Sequence, residues 1–156
     1  MDESLQETKI INQQVMRVSP EHSAERATAS EGSPPDKPGV EEVLSICKLL
    51  EEHKGTEVTA LDLRDLHLWT DFFIIATVSS NTHLQGLFRH IKEFAEREGI
   101  TVQRRTQKEE SGGWNLVDLG TAVIHLMTAQ SREFYELEEL WSSAGHIYPL
   151  KNLLSL

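Results

Sequence analysis

The stretch WNLVDLGTAVIHLM, residues 114–127, decides the fold because it predicts two short strands joined by a tight turn at Leu119 and Gly120. An earlier stretch, DFFIIATV at residues 71–78, is apolar on both of its alternating faces, which is typical of a strand in the middle of a sheet. EVTALDL, residues 57–63, predicts another strand before it. These segments together indicate one sheet with a buried centre.

Two amphipathic helices flank these strands in the sequence. VEEVLSICKLLEEHKG, residues 40–55, carries apolar side chains at spacings of three and four and ends at Gly55. The second helix follows the capping candidates Ser79, Ser80 and Asn81 and ends at Gly99. Each helix therefore offers one apolar stripe to the sheet.

The remaining segments complete the predicted order. ITVQRR, residues 100–105, predicts a strand, and TQKEESGG, residues 106–113, a polar loop. REFYELEELW, residues 132–141, predicts a helix capped by Ser131, with Phe134 and Trp141 facing inward. Arg132 and Tyr135 are expected at the rim of a partner-binding surface. We therefore expect an α/β or α+β fold with a single mixed sheet of about five strands and helices packed on it.

Composition shifts along the chain predict its organisation. Residues 1–39 are polar and end in SEGSPPDKPG, which predicts a disordered tail. Residues 40–148 are expected to form one domain, and residues 149–156 a C-terminal tail.

Charge and composition restrict the class of partner. The formal net charge is −10 and the sequence pI is about 5.1, which argues against sequence-specific nucleic-acid binding and favours a basic protein partner. Cys47 is the single cysteine, as expected in a reducing compartment. No stretch approaches the roughly 20 apolar residues that span a bilayer, and no secretory or transit pattern opens the sequence, so we expect a cytoplasmic protein without membrane contact.

Patterns for catalysis are weak in this sequence. It has neither of the glycine-rich phosphate loops nor a G-x-S-x-G elbow, and no cofactor or metal site is predicted. Asp62, Asp71 and Asp118 lie near predicted strand ends, where they either converge on a divalent metal or bond turn amides. An enzyme of nucleotidyltransferase type that uses Asp71 and Asp118 therefore stays an alternative.

The hairpin itself is the strongest candidate for a binding site. Trp114, Leu116 and Asp118 share one strand face, and His125 and Met127 share a face of the next strand. One face of the hairpin is expected to look away from the core. Tryptophan and methionine supply contact area in protein interfaces. The other interpretation places Trp114 at the edge of the core and makes His125 a buried, hydrogen-bonded histidine.

Three segments resemble the Iojap family of ribosomal silencing factors. They are LDLRDLHLWTDFFIIATVSSNTH at residues 61–83, WNLVDLGTAVIHLM at residues 114–127 and SREFYELEELW at residues 131–141. The resemblance implies an α/β domain related to the nucleotidyltransferase fold but without its catalysis. It also implies binding to the large ribosomal subunit through ribosomal protein uL14, which blocks association with the small subunit and represses translation when nutrients are limiting. A role in large-subunit assembly through the same surface is the alternative.

The resemblance also implies a contact region on the hairpin. It comprises Trp114, Leu116, Asp118, Leu119, His125 and Met127. Because alternation points Asp118 and Leu119 to opposite faces, the face that meets the partner is left open. Trp114 is the predicted anchor, whose loss to alanine is expected to weaken binding by about 2 kcal/mol or more. A weak homodimer is expected away from the ribosome, because edge strands and apolar hairpin faces favour self-pairing.

Overall fold

A single six-stranded mixed sheet organises the chain, which a computed structural model describes over residues 37–149. The strands are β1 (Thr56–Asp62), β2 (Phe72–Val78), β3 (Arg104–Gln107), β4 (Trp114–Asp118), β5 (Ala122–Thr128) and β6 (Gly145–Tyr148). Their order across the sheet is β3-β4-β5-β2-β1-β6. The central pair β2 and β5 is parallel and the other neighbours are antiparallel. Every residue of β2 is buried, which confirms its predicted central place.

Helices lie on both faces of this sheet. They are α1 (Val40–Glu52), α2 (Asn81–Glu98), α3 (Ala129–Tyr135) and α4 (Leu137–Leu140), and a 3-10 turn spans Arg64–Leu66. The predicted cap of α2 is confirmed, because the Ser80 hydroxyl accepts a hydrogen bond from the backbone N–H of His83. Gly99 ends the same helix with a positive φ of 71°, a conformation that glycine adopts without strain.

The two faces are covered unequally. Helices α1 and α2 pack on one face, where Val117, Leu119, Ile124 and Leu126 of the hairpin point toward them. The other face, which we call the Trp114 face, carries Trp114, Leu116, Val123 and Met127 and is covered by the short α3 and α4 and the segment 63–71. Because both faces are apolar and both are covered, the central strands are buried on each side.

The structure corrects several sequence predictions. Strand β6, which pairs with β1 at the sheet edge, was not predicted and raises the strand number from about five to six. Strand β3 begins at Arg104, so residues 100–103 form a connection and the first residues of the predicted loop belong to the strand. The last helix is two helices, because Glu136 adopts a left-handed conformation with φ 45°.

The predicted fold class is confirmed, and other sequence predictions stay untested. The mixed sheet with helices on it is confirmed, whereas relation to the nucleotidyltransferase fold stays a prediction. Most of the predicted N-terminal tail, through residue 36, and all but the first residue of the C-terminal tail lie outside the described residues.

Candidate partner-binding site

The hairpin of β4 and β5 places the predicted site residues in the centre of the molecule. The two strands pair antiparallel, with Trp114 opposite Met127 and Leu116 opposite His125. The predicted alternation is correct, because these four side chains belong to the same face of the sheet. The tight turn is also as predicted, since the Leu119 N–H donates to the Ala122 carbonyl at 2.8 Å.

Trp114 and His125 form a hydrogen-bonded pair inside the Trp114 face. The indole Nε1 of Trp114 donates to Nδ1 of His125 at 3.1 Å, and both side chains have zero exposed surface. Because Nδ1 accepts, the proton of the neutral imidazole lies on Nε2, which has no hydrogen-bond partner among the described residues. The rings of Phe73 and Tyr135 pack against this pair, with centroids 4.5 Å from His125 and 4.7 Å from Trp114 respectively.

Burial sets the charge state of His125. Its pKa is lowered to about 3, first by desolvation and then by the positive charges of Lys108 and Arg132. The imidazole is therefore neutral at physiological pH, where it serves as a hydrogen-bond acceptor for Trp114.

Asp118 and Leu119 point to opposite faces, as alternation requires. The Asp118 carboxylate accepts a hydrogen bond from the Gly120 N–H at 2.8 Å, so it fixes the turn in the way proposed for an aspartate at a strand end. Leu119 packs with the residues under α1 and α2. Gly120 has a φ of +97°, which only glycine adopts readily at this turn.

All of the predicted contact residues are buried in the described chain. The exposed fractions are 0% for Trp114, Leu119, His125 and Met127, 5% for Asp118 and 6% for Leu116. The expectation that one hairpin face looks away from the core is wrong, because residues 63–71 and 129–144 cover the Trp114 face. The contact role of the six residues stays a prediction, and burial of Trp114 agrees with the alternative interpretation, in which it belongs to the core.

Three of the four apolar residues that lie above the hairpin were missed by sequence reasoning, whereas Trp141 was correctly predicted to face inward. Leu66, Leu68, Trp69 and Trp141 are partly buried on the Trp114 face, and we call them the apolar rim. Trp69 and Trp141 each bury an indole nitrogen at this rim. The sequence signal for Leu66, Leu68 and Trp69 is the unusual density of leucine and tryptophan in LHLWT, residues 66–70.

The inward and outward residues of the last helical segment are largely reversed from the prediction. Phe134, predicted to face inward, is 49% exposed, whereas Tyr135, predicted at the rim, is 8% exposed. The reason is the start of α3: Thr128, rather than Ser131, is the capping residue, and it accepts a hydrogen bond from the Ser131 N–H. With the helix starting earlier, Ser131 and Tyr135, one turn apart, face the sheet and Phe134 faces outward.

Arg132 ties α3 and α4 to the sheet. Its side chain is 10% exposed and donates to Glu138 at 2.6 Å and 2.9 Å, to Thr77 at 3.0 Å and to Thr59 at 3.3 Å. A guanidinium satisfied in this way holds the short helices over the Trp114 face. Arg132 therefore has a structural place, not the rim position predicted for it.

A profile of the family described as "Ribosomal silencing factor during starvation", RsfS, matches residues 36–154 of this chain. That match covers the whole described domain. The chain belongs to the RsfS family. The sequence resemblance is thereby confirmed.

Named relatives of this RsfS-family chain come from plastids, bacteria and an animal. The chloroplastic Iojap protein of Zea mays is 35% identical over 76% of this chain, which spans 54% of the maize protein's length. The ribosomal silencing factor RsfS of Halalkalibacterium halodurans is 33% identical over 61% of this chain and 80% of its own length. A Mus musculus protein named "Mitochondrial assembly of ribosomal large subunit protein 1" is 29% identical over 62% of this chain and 43% of its own length.

Solved structures confirm the fold of this RsfS-family chain. A crystal structure of a Chromobacterium violaceum protein superimposes with a TM-score of 0.60 and 29% identity, covering 67% of this chain and 88% of that one. A crystal structure from Bacillus halodurans gives 0.55 and 30%, covering 65% and 94%.

The RsfS family is regulatory, not enzymatic. Two of the three carboxylates weighed for metal binding have structural roles. Asp118 fixes the turn, and Asp62 accepts a hydrogen bond from Arg64 at 2.8 Å that lowers the pKa of its carboxyl. Residues 37–149 hold no cluster of three or more side chains suited to a metal ion. Within those residues no helix is long and apolar enough to cross a membrane.

Proposed function

We propose that this chain binds the large ribosomal subunit through ribosomal protein uL14, prevents association with the small subunit and so represses translation when nutrients are limiting. The observation that carries the proposal is membership of the RsfS family over residues 36–154. The mechanism is steric and needs no catalytic residue, because a bound protein at the subunit interface is enough to block joining.

We assign the contact region to the surface above the hairpin. Trp114, Leu116, His125 and Met127 have at most 6% exposed surface, so they shape this surface from beneath. The apolar rim supplies aromatic and leucine side chains that are already partly desolvated, which is the composition of an interface centre. Asp118 and Leu119 support the turn from the same hairpin.

The charge of the chain suits this partner. Ribosomal proteins are generally basic, and a chain with a formal net charge of −10 is attracted to them at long range. The same charge repels exposed rRNA phosphates, so it disfavours attachment elsewhere on the particle.

The test is a titration of the full chain with purified large and small subunits from the organism that encodes it. We expect co-sedimentation with the large subunit and a reduced light-scattering signal when both subunits are mixed. Leu68→Gln, at the apolar rim, is expected to weaken binding, whereas Lys92→Gln, exposed on α2 at the opposite face, is the control. Binding to neither subunit contradicts the proposal, and binding without inhibition of joining contradicts the blocking mechanism.

A role in large-subunit assembly is the second candidate, and the name of the mouse relative favours it. Both roles use one surface at different times, so the particles to which the chain binds distinguish them. Gradient fractionation is expected to place a silencing factor with mature large subunits and an assembly factor with immature ones. Cytoplasmic location stays a prediction, to be checked by imaging of the tagged chain.

A further inference from the structure

A pocket of about 550 Å³ opens beside the hairpin, where the loop before β4 meets the start of α3. Glu109 and Ser111 line it from the loop, Ser131 from α3, and Phe134 and Tyr135 from the next turn of that helix. Its lining therefore combines a carboxylate, hydroxyl groups and two aromatic rings.

The carboxylate of Glu109 is held in place by hydroxyl groups. Its Oε2 accepts from Ser111 at 2.9 Å and from Ser131 at 3.1 Å, and Thr128 donates to the Ser131 hydroxyl at 3.1 Å. None of the ion pairs among residues 37–149 includes Glu109. The pocket therefore presents a positioned negative charge that the described chain does not neutralise.

Gly113 makes room for this arrangement. A Cβ at that position would lie 2.5 Å from the Ser131 hydroxyl and 2.7 Å from Oε2 of Glu109, so any larger residue displaces the carboxylate. Gly113 is also fixed by its carbonyl, which accepts from the Thr128 N–H at 2.9 Å. The glycine, the two hydroxyls and the carboxylate form one packed unit.

Of the two aromatic rings in the lining, that of Phe134 is exposed. Phe134 is the exposed large hydrophobic residue of the described chain, with 49% of its surface accessible, and its ring meets Tyr135 edge to face at 4.9 Å. Aromatic faces attract the head groups of lysine and arginine, and the stems of these side chains pack on apolar surface. Ring and carboxylate together match a long side chain with a positive end.

We propose that the pocket receives a lysine or arginine side chain of the protein partner, with its charge at Glu109 and its stem against Phe134. The inference rests on the proposed function and adds to it the part of this chain that recognises the basic partner. Complementarity favours this occupant, because the pocket is negative and the chain as a whole has a formal net charge of −10.

Glu109→Gln is the decisive variant, since it keeps the shape and the hydroxyl contacts and removes only the charge. Glu110→Gln is the matched control, because Glu110 is the exposed neighbour and the same charge is removed. In a pelleting titration of the full chain with large ribosomal subunits, we expect Glu109→Gln to weaken binding about tenfold and Glu110→Gln less than about twofold. Circular dichroism confirms that both variants are folded.

The outcomes separate this inference from the proposed function. If the unmodified chain does not bind large subunits, the proposed function and the inference both fail. If the unmodified chain binds and both variants bind as tightly as it does, the proposed function survives and the inference is overturned.

Phe134→Ala gives a second, independent reading. Phe134→Ala is expected to weaken binding strongly in the unmodified chain and less when it is added to Glu109→Gln. The reason is that both residues would hold the same partner side chain. Strictly additive effects of the two substitutions contradict a shared occupant. Since Phe134 is half exposed, its removal leaves the core intact.

Discussion

At the scale of single residues, the pair of Trp114 and His125 is a structural unit of the core. Trp114→Ala is expected to lower the free energy of unfolding by about 3–5 kcal/mol, the usual cost of removing a large buried aromatic. Trp114→Phe keeps most of the ring but leaves Nδ1 of His125 without its donor, and a smaller loss of about 1–3 kcal/mol follows. Urea denaturation measures both. If Trp114→Ala keeps full stability and loses only ribosome binding, the anchor hypothesis is right and the core interpretation fails.

His125 gives the domain a specific pH dependence. Its pKa is lowered to about 3 in the fold, so between about pH 6.5 and pH 3 the unfolded chain binds a proton that the folded chain excludes. The contribution of His125 to the free energy of unfolding is fully present above that range. It is lost as the pH falls through the range, by about 1.4 kcal/mol per pH unit. Denaturation at pH 7 and pH 5 is expected to show this loss in the unmodified chain but not in His125→Asn. His146→Asn, at an exposed histidine of β6, is the control and is expected to keep the full slope.

At the scale of elements, the start of α3 depends on Thr128. Its hydroxyl accepts the Ser131 N–H at 3.2 Å, so Thr128→Val is expected to cost about 1 kcal/mol, the usual value of an N-cap. Hydrogen exchange of the α3 amides is expected to rise in this variant, because the helix has only seven residues. Ser80→Ala removes the corresponding cap of α2 and serves for comparison, since that helix has 18 residues and five buried side chains, against two in α3. Unchanged exchange in α3 would show that the Thr128 cap does not hold the start of this helix.

The elements that could be predicted from the sequence are those with a hydrophobic period within their own residues. β2, α1, α2 and the hairpin each carry a clear period, and the structure confirms them. β6 has four residues and exists because Tyr148 pairs with Ala60, 88 positions earlier, which no local pattern indicates. β3 has three exposed positions of four, so its sequence does not alternate. Alternation likewise predicted which hairpin residues share a face, but not that distant segments cover that face.

At the scale of the whole molecule, the two edges of the sheet limit self-association. The edge strand β3 presents Arg104 and Arg105, and the edge strand β6 has only four residues, so both edges are short and one is charged. Such edges disfavour strand pairing between copies. The predicted weak homodimer is therefore expected to use the apolar rim and Phe134, the same surface that we assign to the partner.

Salt distinguishes these two associations, because charge acts on them with opposite sign. Two copies with a formal net charge of −10 each repel, so screening is expected to strengthen the homodimer, whereas binding to a basic ribosomal protein is expected to weaken. Sedimentation velocity at about 0.05 M and about 0.5 M salt measures the first effect, and pelleting with large subunits measures the second. Because both would occupy one surface, added large subunits are also expected to dissociate the dimer. A homodimer that weakens with added salt, or that persists when the chain is bound to large subunits, would place the self-association elsewhere on the molecule.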